Sequence, residues 1–418
     1  MSNDNERNQT PGPDEERHVR DRFDEAIPEG PLHDREIALD PEDAGEHAVK
    51  VASGGDAFGR GEGVGEGKEV QGMSQGQIVW SRFIRHRGAI FGLITLSLVI
   101  LLSVISMGIG PINGLWRDQE LRSGDVINGG APTLQIPGIN GNTFSIGMFP
   151  FGQDSLGRDY FAQVMMGVQT SLFVAFVLGA VALIIGVTIG SLAGYYRGWV
   201  DMALMRMTDL VITLPVIVLG AVLGSLISKL PLRLNAGPEV AIWLRENMPL
   251  LLAVALGCVL WTGLARLVRS EFLTLREREF VDSARVAGAS DWRIITKHML
   301  PNAVGVIVVN VTLMMSSAVT LEAALSFVGF GIQAPAVSLG RLISENQGAF
   351  STRPWLFWWP GLFIILIALS INFIGDGLRD AFDPRTKRIP SARAMRKAEA
   401  QLAEKKARVA ADAQGGAR

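Results

Sequence analysis

Long apolar runs with few charges decide what this 418-residue chain can fold into. About twenty such residues cross a bilayer as a helix, because the hydrocarbon core offers no partner to an open peptide group. Six blocks qualify: Gly88 to about Gly108, Gly167 to Tyr196, Asp201 to about Ile227, Met248 to about Val268, Asn302 to about Val328, and Leu356 to about Phe382. The expected fold class is an all-α membrane protein with about six transmembrane helices. The bulk composition, 48% apolar with a net charge of −2, would also suit a large soluble protein, but the clustering of the apolar residues argues against one.

Between the fourth and fifth blocks lies a polar island, Glu279 to Asn302, EFVDSARVAGASDWRIITKHMLPN. Phe280, Ala284 and Ala287 recur at helical spacing, with Asp282 and Arg285 on other faces. Gly288 suits a left-handed helix stop. Ser290 suits the cap of a second helix, and Asp291 its first turn, where the helix dipole favours a carboxylate. Pro301 cannot continue that helix from within but can open the next. The expected order is helix, glycine turn, short helix, proline, new helix. Such a unit projects a short rigid helix from the membrane surface, where a soluble partner can grip it. An ordinary helical loop would share the pattern; what sets this one apart is its place between spans.

The remaining chain divides by composition. Residues 1–75 are acidic and poor in large apolar side chains, and are expected to form a disordered cytoplasmic tail. Within them Gly61 to Lys68, GEGVGEGK, lacks the first glycine of a phosphate loop and the Ser/Thr after Lys68, and reads as a linker. The first apolar block comes too late for a cleavable signal peptide. Residues 76–110 hold the basic, aromatic stretch Trp80 to Arg87, an interfacial anchor, and the first span. Residues 111–166 form an external segment with short strand or helix. Residues 167–384 carry five spans, with the loop 266–301 among them, and 385–418 form a basic tail suited to an anionic inner leaflet rather than to nucleic acid. Lys and Arg cluster in that loop and at both membrane-flanking ends, which places the loop and both termini inside.

Several residues invite a role. Gly186-x-x-x-Gly190 lets a second helix approach closely. Arg206 and Asp209, three apart, suit an interfacial ion pair. Glu322 lies within a span; it either lines a polar passage or hydrogen-bonds to a neighbouring helix. Cys258 reads as a small buried apolar side chain. No Cys/His cluster has metal-ligand spacing, so no metal site is expected.

The polar island resembles the coupling loop of ABC-importer permeases: Glu-Ala-Ala, three residues, Gly, nine residues, Ile, any residue, Leu-Pro. Asp282-Ser283-Ala284, Gly288 and Leu300-Pro301 keep the spacing, while Asp282, Ser283 and His298 depart from it. Phe149 to Tyr160, FPFGQDSLGRDY, resembles the outer signature of dipeptide, oligopeptide and nickel importer permeases, with Gln153 in place of Thr and with Gly152, Asp154, Gly157, Arg158 and Asp159 at its polar positions. Taken alone, Arg158 between acidic neighbours reads as an internal brace. Ala193 to Asp201, Glu322 to Gly331, and Asp376 to Asp380 with Asp383-Pro384-Arg385 resemble three further signatures of that family, whereas Leu339 departs from its usual Trp.

The resemblance implies a type I ABC-importer permease subunit in the cytoplasmic membrane. Its partners would be a second homologous permease, two ATP-binding subunits and an external substrate-binding protein, with a peptide as substrate and lipid around it. Asp282, Ser283, Ala284, Gly288, Ala289, Ser290, Asp291, Leu300 and Pro301 would couple to the ATPases. The chain itself would be no enzyme and hold no cofactor, ATP and Mg belonging to the partner subunits. A gradient-driven secondary transporter, a nickel or glutathione importer of the same family, and a membrane scaffold are the competing readings.

Overall fold

The computed structural model describes residues 75–109, 112–116, 124–135, 144–235 and 237–383. The acidic tail through Ser74, the GEGVGEGK stretch, Pro384-Arg385 and the basic tail lie outside the described residues.

Helices α1 (Gln75–Arg85) and α2 (Arg87–Met107) open the fold. Between them His86 is extended, and its Nδ1 accepts the Ala89 N–H at 3.0 Å, capping α2. At 1.5 Å per residue α2 is about 31 Å long, the thickness of a hydrocarbon core. A two-residue hairpin, Gly108–Ile109 with Ile112–Asn113, and a 3-10 turn at Ile127–Gly130 follow. Next come α3 (Tyr160–Tyr196), α4 (Gly198–Ile212), α5 (Val216–Ser228), α6 (Leu230–Arg233), α7 (Pro238–Glu246), α8 (Met248–Leu275) and α9 (Glu279–Val286). The short α10 (Asp291–Arg293) runs through a π-helical turn, Ile294–Met299, into α11 (Leu300–Phe327); α12 (Leu339–Asn346) and α13 (Trp355–Phe382) complete the described fold.

The all-α membrane architecture holds. Among the described residues, five helices are long and apolar enough to cross a bilayer, and the bent pair α4–α5 makes a sixth if counted as one span. Their order alternates. Gly305 at the start of α11 packs on Phe382 at the end of α13, and Gly377 of α13 packs on Ala89 at the start of α2. Tyr195 at the end of α3 clusters with Leu275 at the end of α8. These helix ends share one face with α9 and α10. At the opposite face, Tyr160 at the start of α3 donates through its hydroxyl to Leu356 O near the start of α13. The core is the apolar seam among α3, α8, α11 and α13, filled by Val164, Leu178, Leu252, Leu256, Val319 and Ile367.

The tightest seam is α3 against α8. A Cβ on Gly190 would lie 2.5 Å from Ala265 O, and one on Gly194 would lie 2.6 Å from Phe272 Cβ. The small residues of α3 therefore let α8 approach to backbone contact, as the Gly186-x-x-x-Gly190 spacing suggests.

Four sequence expectations are corrected. The third block is not one straight span: α4 and α5 meet at 81°. Pro215 has no N–H to give and excludes Leu214 from helical geometry, so the chain leaves the helix at Thr213. The Thr213 hydroxyl donates to Leu210 O at 2.7 Å, serving a carbonyl that the break frees. The proline at 301 does not separate two helices. Lacking an N–H, Pro301 is accommodated by widening the turn before it, and the Leu300 N–H reaches back five residues to Ile295 O. Asp209 pairs with Arg266 of α8 at 2.5 Å rather than with Arg206 on its own helix. Cys258 is exposed on the outer flank of α8, not buried, because the bundle covers only the face of α8 that bears Leu252, Leu256 and Gly257.

Candidate functional site

The elbow between α8 and α11 has two faces. Val281, Ile294 and Met299 are fully buried and Ile295 nearly so, packed on Tyr195, Val268, Phe272 and Leu275 at the ends of α3 and α8. The other face is open and carries apolar side chains: Val286 is 90% exposed and Trp292 70%. A valine and a tryptophan held clear of the bundle on a folded segment are what a helix-gripping partner surface requires.

Each residue that the sequence singles out here has a definite place. Asp282 pairs with Arg285 at 3.1 Å on the exposed side of α9. The Ser283 hydroxyl donates to Glu279 O at 2.8 Å, while Ala284 is buried beneath. Gly288 has φ +77 and sends its N–H to Arg285 O, and Ala289 sends its own to Ala284 O, both at 3.0 Å. This is the left-handed stop that glycine supplies without strain. Ser290 stands at the cap of α10 with extended backbone, but its side chain makes no cap hydrogen bond. Asp291 instead accepts from the Tyr195 hydroxyl at 2.6 Å, tying the elbow to the end of α3. Leu300 and Pro301 open α11.

Ion pairs stiffen the base of this elbow. Arg269 of α8 grips Asp201 of α4 through two bonds, 2.5 and 2.6 Å. Arg197, in the α3–α4 turn, donates to Glu277 at 2.6 Å and holds that carboxyl below its ordinary range. The Arg276 guanidinium lies 5.8 Å from the Tyr195 ring centroid. Tyr195, Arg197 and Asp201 fall inside the 193–201 signature, but their pairings escape sequence reading, since each joins residues 68 or more positions apart.

At the other end of α3, the turn Phe149 to Tyr160 is closed on itself. Gly152 and Gly157 have φ of +87 and +70. Asp154, 3% exposed, accepts from Leu156 N, Arg158 N, Arg158 Nε and Gln163 Nε2 at 2.7–3.1 Å. Arg158 is thus engaged within the turn. Gln153, the departure from the family pattern, accepts from Ile127 N and donates to Asp125 O and Gly157 O, stitching the preceding segment to the turn. Asp159 caps α3 by accepting from Phe161 N and also takes the Trp116 indole N–H, both at 2.9 Å.

Burial raises the Asp159 carboxyl from 3.8 to about 6, against the lowering effect of its hydrogen bonds. The folded state therefore binds this proton more tightly than the unfolded chain, so the stabilisation is complete below about pH 4 and lost as pH rises through about 6. Asp159→Asn should cap α3 nearly as well and remove this dependence. At pH 7.5 the variant is expected to be more stable than the parent by at most about 3 kcal/mol, with the gap closing at pH 4. Thermal unfolding at both pH values in detergent checks it; an equal gap at both would refute it.

Glu322, one candidate for a translocation pathway on sequence, faces no passage in this structure. It is 0% exposed, and the hydroxyls of Ser171 on α3 and Ser326 on α11 donate to it at 2.9 and 2.7 Å. Ser326 also accepts from Ile332 N, so the carboxyl joins two spans and the loop after α11. The physical reason is proximity: Glu322 points into the α3–α11 seam, where a hydroxyl partner compensates burial. Among the described residues, no group of three or more His, Cys, Asp or Glu could hold a metal.

Comparison with known proteins places the chain. Residues 186–388 match the family model described as binding-protein-dependent transport system inner membrane component, and residues 74–115 match the N-terminal TM domain of oligopeptide transport permease C. The oligopeptide transport system permease protein OppC of Haemophilus influenzae is 31% identical over 322 residues, covering 77% of this chain and 92% of that protein. The dipeptide transport system permease protein DppC of Alkalihalophilus pseudofirmus is 38% identical over 237 residues, covering 57% and 72%. Among solved structures, a chain of the MetNI methionine ABC transporter in inward-facing conformations aligns over 98% of its length and 53% of this chain, at 22% identity and a TM-score of 0.40. A membrane bundle of five long helices and a bent pair, similar at this level to OppC over nearly that protein's whole length, belongs to the family of binding-protein-dependent transport system inner membrane components.

Proposed function

We propose that this chain is one permease subunit of an ATP-driven importer for di- or oligopeptides, and that the elbow at 279–302 is where ATP-binding subunits drive it. The observation that carries the coupling role is the two-faced elbow. Its outer face offers Val286 and Trp292 to a partner, while its inner face is packed on α3 and α8 and runs without a stop into α11. A pull on such a segment reaches three spans at once. ATP must favour one of two arrangements of those spans for the pull to do work. ATP and Mg would sit in the partner subunits, a second homologous permease would complete the pathway, and an external binding protein would deliver the peptide. The Lys and Arg bias puts the elbow and both termini on the cytoplasmic side.

The peptide substrate is supported by the relatives, which are named as dipeptide and oligopeptide permeases. The gradient-driven reading rested on Glu322, which is 0% exposed and takes the hydroxyls of Ser171 and Ser326, and this argues against it. Co-expression of this chain with its neighbouring transport genes tests the proposal. Affinity capture of the chain should bring two ATP-binding subunits and one further permease, and liposomes carrying the complex should take up labelled di- or tripeptide only with ATP. Capture without ATPases, or uptake driven by an ion gradient alone, would overturn it.

A further inference from the structure

Arg197 closes α3 and opens α4 at φ +56 and ψ −166. Glycine adopts that backbone freely; a residue with a side chain holds it only where its surroundings fix it, and such outliers gather at functional sites. Arg197 lines an open cavity of about 480 Å³ together with Leu273, Thr274, Glu277 and Arg278. That volume falls in the range of small-molecule sites.

The cavity is electropositive. Arg197 gives Nη2 to Glu277, and Arg276 stands close enough to act on that carboxylate as well. The Arg278 side chain makes no ion pair among the described residues. Arg197 Nε and Arg276 Nη1 are buried and have no hydrogen-bond partner there. Three guanidinium groups thus stand against one carboxylate, and two of their nitrogens have left water with nothing in return. Orphaned groups of this kind are explained by an ion that completes the site.

The cavity lies at the membrane surface. The spans α3 and α8 end at Tyr196 and Leu275, and its lining residues straddle both ends. Trp199, 78% exposed, and exposed Tyr196 flank Arg197 in the same turn, as aromatic side chains do at headgroup level. The Lys and Arg bias puts this face on the cytoplasmic side, where the leaflet is anionic.

We infer that this cavity binds the phosphodiester headgroup of an anionic phospholipid of the inner leaflet, with Arg197 and Arg278 as its donors. Guanidinium groups suit phosphate oxygens, each offering several N–H groups in one plane. The bound phosphate bridges the α3–α4 turn to the end of α8 and so braces the base of the elbow. A free phosphate or an acidic side chain of a soluble partner carries similar charge, but neither gains from the exposed Tyr196 and Trp199, and a lipid does. The site does not depend on which substrate the chain carries.

The test titrates the full-length chain, purified in mild detergent, with phosphatidylglycerol, phosphatidylcholine and inorganic phosphate. Bound lipid is counted by native mass spectrometry, and the thermal midpoint is followed in parallel. The parent should hold phosphatidylglycerol about tenfold or more tightly than phosphatidylcholine, as two arginines at a membrane surface provide, and its midpoint should rise with the bound lipid. Arg197→Gly removes the charge and the backbone strain together, so it should fold at least as well as the parent while losing that preference. Arg278→Gln leaves the Arg197–Glu277 pair in place and should lose the preference too. Arg233→Gln removes an exposed cation outside the cavity and should keep it. A preference that survives in both cavity variants, or falls equally in Arg233→Gln, would overturn the inference. So would a midpoint that inorganic phosphate raises as far as the lipid does. Where ATP-binding subunits co-purify with the parent, their loss from Arg278→Gln with lipid binding intact would assign the cavity to a protein contact and overturn it as well.

Discussion

Replacing Gly288 by arginine is expected to bring ATP-driven uptake to background while the protein still inserts and folds. The glycine sits at φ +77, and a Cβ built there meets nothing within 4 Å. The substitution therefore clashes with nothing in this chain. Its internal cost is the left-handed backbone, about 1–2 kcal/mol, too little to unfold a bundle held by five long spans. Its external effect is large, because a long cation now stands in the turn between α9, which carries Val286, and α10, which carries Trp292, on the face proposed to dock. Desolvating an unpaired charge against an apolar partner surface costs far more than the turn strain. Gly288→Ala is the control: it carries the same backbone cost without the charge and should keep most uptake. Membrane-fraction yield, ATPase co-purification and uptake are measured together. Normal uptake with normally bound ATPases in the arginine variant would rule out this turn as the coupling point.

Gly190→Leu should have the opposite profile, with little folded protein recovered at all. The new Cβ would stand 2.5 Å from Ala265 O, 2.7 Å from Val268 Cβ and 3.1 Å from Arg269 N. Two of these atoms are backbone and cannot rotate away. Overpacking costs about 1–3 kcal/mol even where side chains can yield, and here α8 must shift as a whole, loosening the Arg269–Asp201 fork one turn away. Folded yield by size exclusion in detergent is expected to fall several-fold. Gly263→Leu, on the same seam's helix but with no atom within 4 Å of its added Cβ, should leave yield unchanged. Equal yields for the two variants would refute the close-packed account of α3 and α8.

Much of the architecture was legible because lipid imposes it. Any apolar run long enough to span must close its own hydrogen bonds, so the blocks at 88, 248, 302 and 356 read directly as helices. The turn at Gly288 was legible for a local reason, since a left-handed position between two helical patterns has few occupants besides glycine. The start of α3 was not. The helix begins at Tyr160, capped by Asp159, seven residues before the apolar block, because Trp116 and Phe151 supply an apolar setting for the first turns. Pro215 lies mid-span by its place in the block; the 81° direction that α5 takes after it is set by packing, with Gly220 seated on Leu325 and Leu256 and Gly224 against Phe330.

The sequence by itself settled the helical membrane class, the five straight spans and the existence of a polar elbow, because these follow from hydrophobic length and local backbone chemistry. Only the tertiary structure decided that Glu322 is locked by Ser171, that Asp291 answers to Tyr195, and that Asp209 chooses Arg266 over Arg206. Those choices belong to pairs 57 to 151 residues apart. The pairing of a buried or half-buried polar group is set by which helix faces happen to meet, and that is a property of packing, not of spacing along the chain.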